Sequence, residues 1–269
     1  MNKKIAFIGA GNMAEALIRG MRPTSAGRIL ATDVRTERLE QLRAAYGIET
    51  GSDNAAAAAK SDVVVLAVKP QQMSEVLATI RASISDRQLI LSIAAGVTTA
   101  RIERELGGTP RVVRAMPNTP ALVGAGAAAV CSGRFATEED LAMAEEILRA
   151  VGLVVRVEEK DMDAVTALSG SGPAYIFYMT EAMIAAGVEL GFSRETASRL
   201  AAQTAFGAGK LLMESGEPPS ELRRKVTSPG GTTEAALKVM QQRGFTENVV
   251  EAIRAAARRS RELSGGCTS

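Results

Sequence analysis

Near its amino terminus the chain reads Ile5-Ala6-Phe7-Ile8-Gly9-Ala10-Gly11-Asn12-Met13-Ala14. Four apolar residues lead into a glycine turn, and the amphipathic segment from Glu15 to Met21 that follows predicts a helix. The pattern Gly-x-Gly-x-x-Gly/Ala between a strand and a helix is typical of dinucleotide-binding sites. A tight turn that binds no ligand could have the same sequence. The position of the motif between an apolar strand and a helix is therefore what favours nucleotide binding.

Each residue of this turn has its own expected role. Gly9 allows the tight turn, Gly11 lets the backbone approach a pyrophosphate, and Ala14 lets the helix pack closely on the strand. Asn12 and Met13 begin the helix, whose free N–H groups and positive dipole end favour phosphates. We therefore expect Gly9, Gly11, Asn12 and Met13 to contact a dinucleotide.

A second apolar run, residues 28–33, ends in an acid. Asp33 follows Gly9 at about the distance, some twenty residues, at which a ribose-binding acid is expected. An acid there would repel a 2′-phosphate and accept a bond from a 2′-hydroxyl, which favours NADH. Arg35 and Arg38 could instead hold the phosphate and favour NADPH. Both alternatives stay open on these residues.

Apolar runs and helical patterns then alternate regularly. We expect further strands at 62–68, 88–93, 111–115, 125–131 and 153–157, with helices between them. Such alternation predicts an α/β Rossmann-type doubly wound parallel sheet, in which ligands bind at the carboxyl ends of the strands. The polar loop from Met116 to Pro120 interrupts the alternation at one such strand end.

The composition changes at Lys160, after which strand patterns stop and long helical patterns begin. We therefore divide the chain into a dinucleotide-binding domain, 1–159, and an all-α helical domain for dimerisation and substrate binding, 160–269. The predicted helices 171–190 and 194–214 are rich in Ala, Gly and Met and are apolar on more than one face. Helices of that kind must be buried, and a second copy of the chain is the expected cover.

The composition excludes several classes of function. Among 269 residues there is no histidine, and the formal net charge is +2. Without histidine, and with Cys131 and Cys267 far apart, a metal site is not expected. The small net charge does not indicate a nucleic-acid-binding surface, and no apolar run is nearly long enough to span a membrane. Met1 to Lys4 leads into a short strand rather than a signal peptide, so we expect a soluble, cytoplasmic protein.

A second glycine turn lies near the other end of the chain, at residues 225–235, which read Lys225-Val226-Thr227-Ser228-Pro229-Gly230-Gly231-Thr232-Thr233-Glu234-Ala235. Hydroxyl groups and glycines there precede a predicted helix, and backbone N–H groups at such a turn make an anion site for a carboxylate or phosphate. The alternative is an ordinary capped turn, with Thr232 or Thr233 as the N-cap.

Six motifs occur together in a fixed order. They are Gly9-Ala10-Gly11-Asn12-Met13-Ala14, Ala67-Val68-Lys69-Pro70-Gln71, Ser92-Ile93-Ala94-Ala95-Gly96, Arg114-Ala115-Met116-Pro117-Asn118-Thr119-Pro120, Leu168-Ser169-Gly170-Ser171-Gly172-Pro173-Ala174-Tyr175 and Val226-Thr227-Ser228-Pro229-Gly230-Gly231-Thr232-Thr233. In this combination the chain resembles pyrroline-5-carboxylate reductases over almost its whole length. The resemblance implies NAD(P)H-dependent reduction of 1-pyrroline-5-carboxylate to L-proline by a homodimer, and dimers of this family commonly assemble into a ring of five.

The resemblance also implies roles for individual residues. The amides of Gly230, Gly231, Thr232 and Thr233, assisted by Ser228, would hold the substrate carboxylate, and the Thr233 hydroxyl would bond the ring nitrogen across from a nicotinamide. The further residues that it places around the cofactor are Asn54, Val68, Lys69, Pro70, Ala94, Ala95, Met116 and Pro117. The family favours NADPH, whereas Asp33 argues for NADH. An imine can accept its proton before the hydride, so a chain without histidine suits this reaction.

Two rival functions follow from the same Rossmann half. A β-hydroxyacid dehydrogenase would need a Lys-x-x-Asn pair on an interdomain helix, but no lysine occurs between Lys160 and Lys210. A dinucleotide sensor without activity would not need the hydroxyl-rich loop from Ser228 to Thr233. We therefore expect an enzyme that acts on the imine.

Overall fold

The computed structural model describes residues 3–25 and 28–265, and within them it has eight β-strands and twelve α-helices. The strands are β1 (Ile5–Ile8), β2 (Ile29–Thr32), β3 (Glu49–Gly51), β4 (Val63–Leu66), β5 (Leu89–Ser92), β6 (Arg111–Met116), β7 (Gly126–Ser132) and β8 (Gly152–Arg156). The helices of the first half are α1 (Asn12–Ser25), α2 (Thr36–Tyr46), α3 (Asn54–Ala59), α4 (Met73–Ile80), α5 (Thr99–Leu106) and α6 (Glu138–Arg149).

The second half of the described chain is helical. Its helices are α7 (Met162–Val165), α8 (Gly172–Glu189), α9 (Arg194–Ser215), α10 (Pro219–Lys225), α11 (Thr232–Gln242) and α12 (Phe245–Leu263). A short 3₁₀-helix, Glu159–Asp161, precedes α7, and a π-helical turn, Thr166–Gly170, links α7 to α8. The expected change from alternating strands to helices near residue 160 is confirmed.

All eight strands form one sheet in the order β3-β2-β1-β4-β5-β6-β7-β8. The first six are parallel to one another, and the chain direction across the sheet reverses between β1 and β4, which is the topological switch point of a Rossmann fold. The predicted Rossmann-type doubly wound sheet is therefore confirmed.

The alternation pattern predicts a sheet that is parallel throughout, and this prediction is wrong at β7. Strand β7 runs antiparallel to β6, and β8 is parallel to β7. The reason lies in the connection, because a parallel crossover needs a dozen or more residues and usually a helix. Only residues 117–125 join β6 to β7, and they contain no more than the 3₁₀-helix Thr119–Val123.

One strand escapes the sequence pattern. Strand β3 has three residues, Glu49–Gly51, and pairs with β2 at the edge of the sheet. Its polar and half-exposed residues give no apolar run, so hydrophobic periodicity does not reveal it.

The core lies on both faces of the sheet. Strands β1, β4 and β5 are buried along their whole length, as expected for parallel strands that are covered on both sides. Phe7 packs with Leu17 of α1 on one face, and Leu66 packs with Ile80 of α4 on the other. Burial of one such side chain contributes roughly 1.5–3 kcal/mol.

Contacts divide the described chain into two compact units, the first comprising Met1–Ser171 with Ala256–Ser269 and the second Gly172–Ala255. The division at residues 159 and 160 that composition suggests stays a prediction about independently folding domains. In the second unit α8 packs against α9, where a Cβ placed on Gly187 would lie 3.0 Å from the Cβ of Ala197.

The helices of the second unit expose many large apolar side chains. The most exposed of them are Phe177, Tyr178, Phe206 and Met213. None of the helices in the described residues combines the length and the apolar character that a membrane crossing requires.

Candidate active site

The residues predicted to bind a dinucleotide lie at one edge of the sheet. Strands β1, β2, β4, β5 and β6 are parallel, so their carboxyl ends meet there. The predicted residues that follow these ends within four positions are Gly9, Gly11, Asn12, Asp33, Arg35, Val68, Lys69, Pro70, Ala94, Ala95 and Pro117, with Met116 as the last residue of β6. Met13 belongs to the first turn of α1.

The two glycines of the first turn differ in what surrounds them. Gly9 has a φ of +96°, and a Cβ there would lie 2.7 Å from the carbonyl oxygen of Ala67, so only glycine fits. Gly11 has no atom within 4 Å of where its Cβ would be. Ala14 is fully buried against the sheet. The turn thus leaves open space above Gly11 and the N–H groups that begin α1, which fits a pyrophosphate.

Asp33, which directly follows β2, accepts a hydrogen bond from this glycine turn. The N–H of Ala10 donates to its Oδ2 at 2.9 Å, and Arg35 donates from Nε to Oδ1 at 2.9 Å and from Nη2 to Oδ2 at 3.0 Å. The bonds from Arg35, supported by that from Ala10, lower the pKa of the Asp33 carboxyl to about 2 although burial opposes the charge. A charged carboxylate therefore stands where the ribose-binding acid is expected.

Arg38 is held by the turn and by α1. Its Nε donates to the carbonyl oxygen of Ala10 at 2.8 Å, and its Nη2 donates to Glu15, which also accepts a bond from the Tyr46 hydroxyl at 2.8 Å. The bond from Arg38 is the main cause that lowers the pKa of Glu15. Both arginines considered for a 2′-phosphate are thus already engaged, Arg35 with Asp33, and the side chain of Arg35 is 61% exposed.

Asn54 is tied to the end of β2. The Thr32 hydroxyl donates to its Oδ1 at 2.6 Å, which fixes the amide near the strand end. Asp53, and not Asn54, is the N-cap of α3, since its Oδ1 accepts from the N–H of Ala56 at 2.9 Å. Asn54 thus remains available in position for the predicted ribose contact.

The residues expected around a nicotinamide differ in exposure. Lys69 and Ala95 are exposed, Val68, Pro70 and Met116 are half-buried, and Ala94 and Pro117 are buried. Met116 packs against the π-helical turn, because a Cβ on Gly170 would lie 2.7 Å from its Cε. The described hydrogen bonds and ion pairs give the Lys69 side chain no partner, and its place beside the cofactor stays a prediction.

Asn118 also lies at this edge, and no sequence motif alone gives it a role. Its Nδ2 donates to the carbonyl oxygen of Ser169 at 3.0 Å, and its Oδ1 accepts from the N–H of Ala127 at 2.8 Å. It therefore joins the loop after β6 to β7 and to the π-helical turn. Only its place between Pro117 and Pro120 could have drawn attention to it.

The second glycine turn begins α11 in the second unit. Gly231, and neither Thr232 nor Thr233, is the N-cap, and no side chain caps this end of the helix. The alternative of a threonine-capped turn is therefore wrong. Gly230 has a φ of +72°, which sharpens the turn.

Part of the expected anion site is already bonded within the loop. The N–H of Gly230 donates to Glu234 Oε2 at 2.9 Å, and the N–H of Gly231 donates to the carbonyl oxygen of Ser228 at 3.0 Å. The described hydrogen bonds leave the amides of Thr232 and Thr233 without an acceptor, as expected for the first turn of an uncapped helix. The spacing of the motif does not predict the bond from Gly230 to Glu234.

The described residues contain no group of three or more metal-ligating side chains. Burial, with the negative charge of Glu159, raises the pKa of the Cys131 thiol to about 12, so the thiol stays protonated. Cys267 lies outside the described residues.

Two family models match the chain. One, described as pyrroline-5-carboxylate reductase dimerisation, matches residues 159–263. The other, described as NADP oxidoreductase, coenzyme F420-dependent, matches residues 4–96.

Curated relatives match nearly the whole chain. A pyrroline-5-carboxylate reductase of Pseudomonas aeruginosa is 47% identical over 264 residues, covering 97% of both chains. One of Methanosarcina acetivorans is 44% identical over 268 residues, covering 97% of this chain and 98% of the relative.

Solved structures agree with these relatives. A pyrroline-5-carboxylate reductase from Coxiella burnetii superposes with a TM-score of 0.93 at 41% identity and covers 100% of both chains. The Plasmodium falciparum pyrroline carboxylate reductase with NADP bound gives a TM-score of 0.86 at 32% identity over 98% of each chain.

Proposed function

This chain belongs to the pyrroline-5-carboxylate reductase family, and we infer from that premise that it uses NAD(P)H to reduce the C=N bond of 1-pyrroline-5-carboxylate to L-proline. The reaction is the last step of proline biosynthesis. The observation that carries this conclusion is the 47% identity to a reductase of that name over 97% of both chains.

The first unit would hold the cofactor at the carboxyl edge of the sheet. Gly9, Gly11 and the first turn of α1 receive the pyrophosphate, and Asp33 and Asn54 reach the adenosine ribose. When bound, the reduced nicotinamide supplies the hydride. The loops at Ala94–Ala95 and Met116–Pro117 would line the nicotinamide side of the site.

The loop before α11 would hold the substrate. The amides of Thr232 and Thr233 and the Ser228 hydroxyl offer donors to the substrate carboxylate, and the helix dipole adds a favourable field. Gly231 contributes its backbone conformation, because its own N–H already bonds Ser228. The Thr233 hydroxyl can donate to or accept from the ring nitrogen, and with no histidine in the chain the protein has mainly to position and polarise the imine.

Oxidation of NADH or NADPH on addition of 1-pyrroline-5-carboxylate tests the activity. We expect turnover and formation of proline with at least one cofactor. A protein that binds either cofactor and turns over neither would be a dinucleotide sensor, which would contradict the proposal.

Thr233→Ala tests the substrate loop. We expect kcat to fall about tenfold or more, because a hydrogen bond to the reacting ring is lost, while the Kd for the cofactor stays nearly unchanged. Thr79→Ala is the matched control, since the Thr79 hydroxyl donates to the carbonyl oxygen of Val76 within α4. A collapse of cofactor affinity with normal kcat at saturation would contradict the assignment of the loop.

The preference between NADH and NADPH is tested by the ratio of the two kcat/KM values. The ionised Asp33 supports NADH, and the exposed Arg35 together with the family supports NADPH. A ratio near one would exclude a preference for either.

We propose further that the chain forms homodimers through its second unit, and that five dimers assemble into a decamer. The exposed apolar helices support the dimer, and the family supports the ring. Light scattering gives the mass, and a protein that stays monomeric at micromolar concentration would contradict both. We also propose a cytoplasmic location, which cell fractionation tests.

A further inference from the structure

Glu159 lies at the start of the 3₁₀-helix after β8 and accepts hydrogen bonds from two distant segments. Arg114 of β6 donates from Nη1 to its Oε1 at 2.8 Å. The N–H of Thr99 lies 3.3 Å from each of its carboxylate oxygens, and the Thr99 hydroxyl also donates to Oε2. One carboxylate thus joins three segments of the first unit.

The two donors stand next to the loops that are expected to line the nicotinamide. Thr99 begins α5, three residues after Gly96, where the loop containing Ala94 and Ala95 ends. Arg114 is two residues before Met116 on the same strand. A shift at either donor is therefore passed on to one of these loops through only a few residues of backbone.

The negative charge of Glu159 is required for its hydrogen bonds with Arg114 and Thr99. The side chain of Arg114 is only 3% exposed, and its Nε and Nη2 have no hydrogen-bond partner among the described residues. A buried guanidinium that loses its counter-charge is costly, so the two side chains hold each other strongly. Every group that faces Glu159 in these bonds is a donor, and an amide NH₂ in place of one carboxylate oxygen would oppose them.

We propose that Glu159 is a positioning residue that holds the loops at 94–96 and 116–117 at the separation that a productively bound nicotinamide requires. The inference rests on the proposed reductase function and deepens it. Glu159 touches neither substrate nor cofactor in this role, and it acts through Thr99 and Arg114.

Glu159→Gln keeps the shape of the side chain and removes its charge. We expect kcat to fall about tenfold or more, since small displacements of reacting groups cost that much, while the Kd for the cofactor changes less than about threefold. The deuterium isotope effect on kcat, measured with cofactor deuterated at C4, should rise because hydride transfer becomes slower than product release.

A readout without cofactor accompanies the kinetics. In the free protein, amide hydrogen exchange of residues 94–99 should become about tenfold faster in Glu159→Gln, because the amino end of α5 loses its acceptor. Thr99→Val is the gentler second variant, since it removes only the hydroxyl donor and keeps the ion pair with Arg114. It should change kcat and exchange in the same direction by a smaller factor, and Glu159→Asp should restore part of the loss.

Glu145→Gln is the matched control. Glu145 is a buried carboxylate on α6 that accepts bonds from Arg149 at 2.5 Å and from Arg156, and no predicted site residue lies on α6. Its replacement should lower the melting temperature and leave both kcat and the exchange of residues 94–99 unchanged.

Three results would overturn the proposal. They are a folded Glu159→Gln protein with kcat and exchange within about twofold of the unaltered protein, an equal loss of kcat in Glu145→Gln, and a loss that lies wholly in cofactor affinity. Should Glu159→Gln fail to fold, Thr99→Val decides by the same criteria. Absence of turnover in the unaltered protein would contradict the reductase function instead, and the hydrogen-exchange result would still stand on its own.

Discussion

The carboxylate of Asp33 bonds the glycine turn and an arginine at the same time. Ala10 and Arg35 both donate to it, and its side chain is only 8% exposed. Because its pKa in the folded protein lies near 2, below the ordinary value of 3.8, the folded state binds a proton less readily than the unfolded chain. The ionised carboxylate therefore stabilises the folded state at every pH above the ordinary value.

Asp33→Asn should remove that stabilisation. We expect the free energy of unfolding at neutral pH to fall by about 1 kcal/mol, a value reduced for the solvent around Arg35. The difference from the unaltered protein should shrink as the pH falls below 3.8 and vanish near 2, where the native carboxyl takes up its proton. Urea unfolding at several pH values measures it.

Asp53→Asn is the control for this variant. Asp53 caps α3, and Asn is an equally good N-cap, so the free energy of unfolding should not change. A difference between Asp33→Asn and the unaltered protein that persists undiminished to pH 2 would contradict the account.

Single residues were foreseen where a local pattern points to them. Asp33 follows from its distance to Gly9, because that spacing reflects one strand–helix–strand unit. The hydrogen-bond partners of Glu159 and Arg38 could not be foreseen in the same way, since no motif links these residues to groups 45 to 60 and 23 to 28 residues away. No periodicity in the chain records which polar groups meet across such distances.

At the scale of an element, the glycine turn joins β1 to α1, and its two glycines differ in what they contribute. Gly9 is required by its backbone, whereas Gly11 is free of neighbours. The fold should therefore depend on the first and the cofactor on the second.

Gly9→Ala should destabilise the protein by roughly 2–4 kcal/mol, because a positive φ and a contact with Ala67 both oppose a Cβ. Gly11→Ala should leave the melting temperature unchanged or slightly raised and weaken cofactor binding about tenfold or more. Calorimetry and fluorescence titration measure the two effects. Equal losses of stability in both variants would contradict the distinction.

The sequence predicts the strands that contain an apolar run, but it does not predict the direction in which each strand runs in the sheet. The seven predicted strands are all present because each contains an apolar run, although β8 has no buried residue, whereas β3 is too short and too polar to give such a run. The antiparallel direction of β7 depends on the length of its connection to β6, and apolar runs alone carry no direction. The same limit applies to α11, whose N-cap is decided by the backbone of Gly231 rather than by the threonines beside it.

At the scale of the whole molecule, the helices of the second unit expose large apolar side chains. Phe206 is 64% exposed and Tyr178 is 77% exposed, on α9 and α8 respectively. Large exposed apolar patches on soluble proteins mark interfaces. The sequence foresees the need for a cover because these helices are apolar on more than one face, but it does not say which side chains meet the partner.

Phe206→Glu should therefore shift the protein towards monomers. A charge placed in an apolar interface costs several kcal/mol, enough to raise the dissociation constant about a hundredfold or more. Sedimentation over a range of concentrations measures it. Val34→Glu is the control, because Val34 is 92% exposed in the first unit and should leave the mass unchanged. A dimer of unaltered stability in Phe206→Glu would remove α9 from the interface.

The shifted pKa values have a consequence for how the enzyme responds to acidity. No side chain of this protein has an ordinary pKa between 5 and 8, since histidine is absent. The shifts resolved among the described residues all move away from that interval, with Glu15, Asp33, Glu105 and Glu145 lowered and Tyr46 and Cys131 raised. With no histidine to titrate in that interval, we expect a change of kcat/KM with pH between 5 and 8 to record the protonation of the imine itself. The substrate, and not a side chain of the protein, would then set the pH dependence of the reaction.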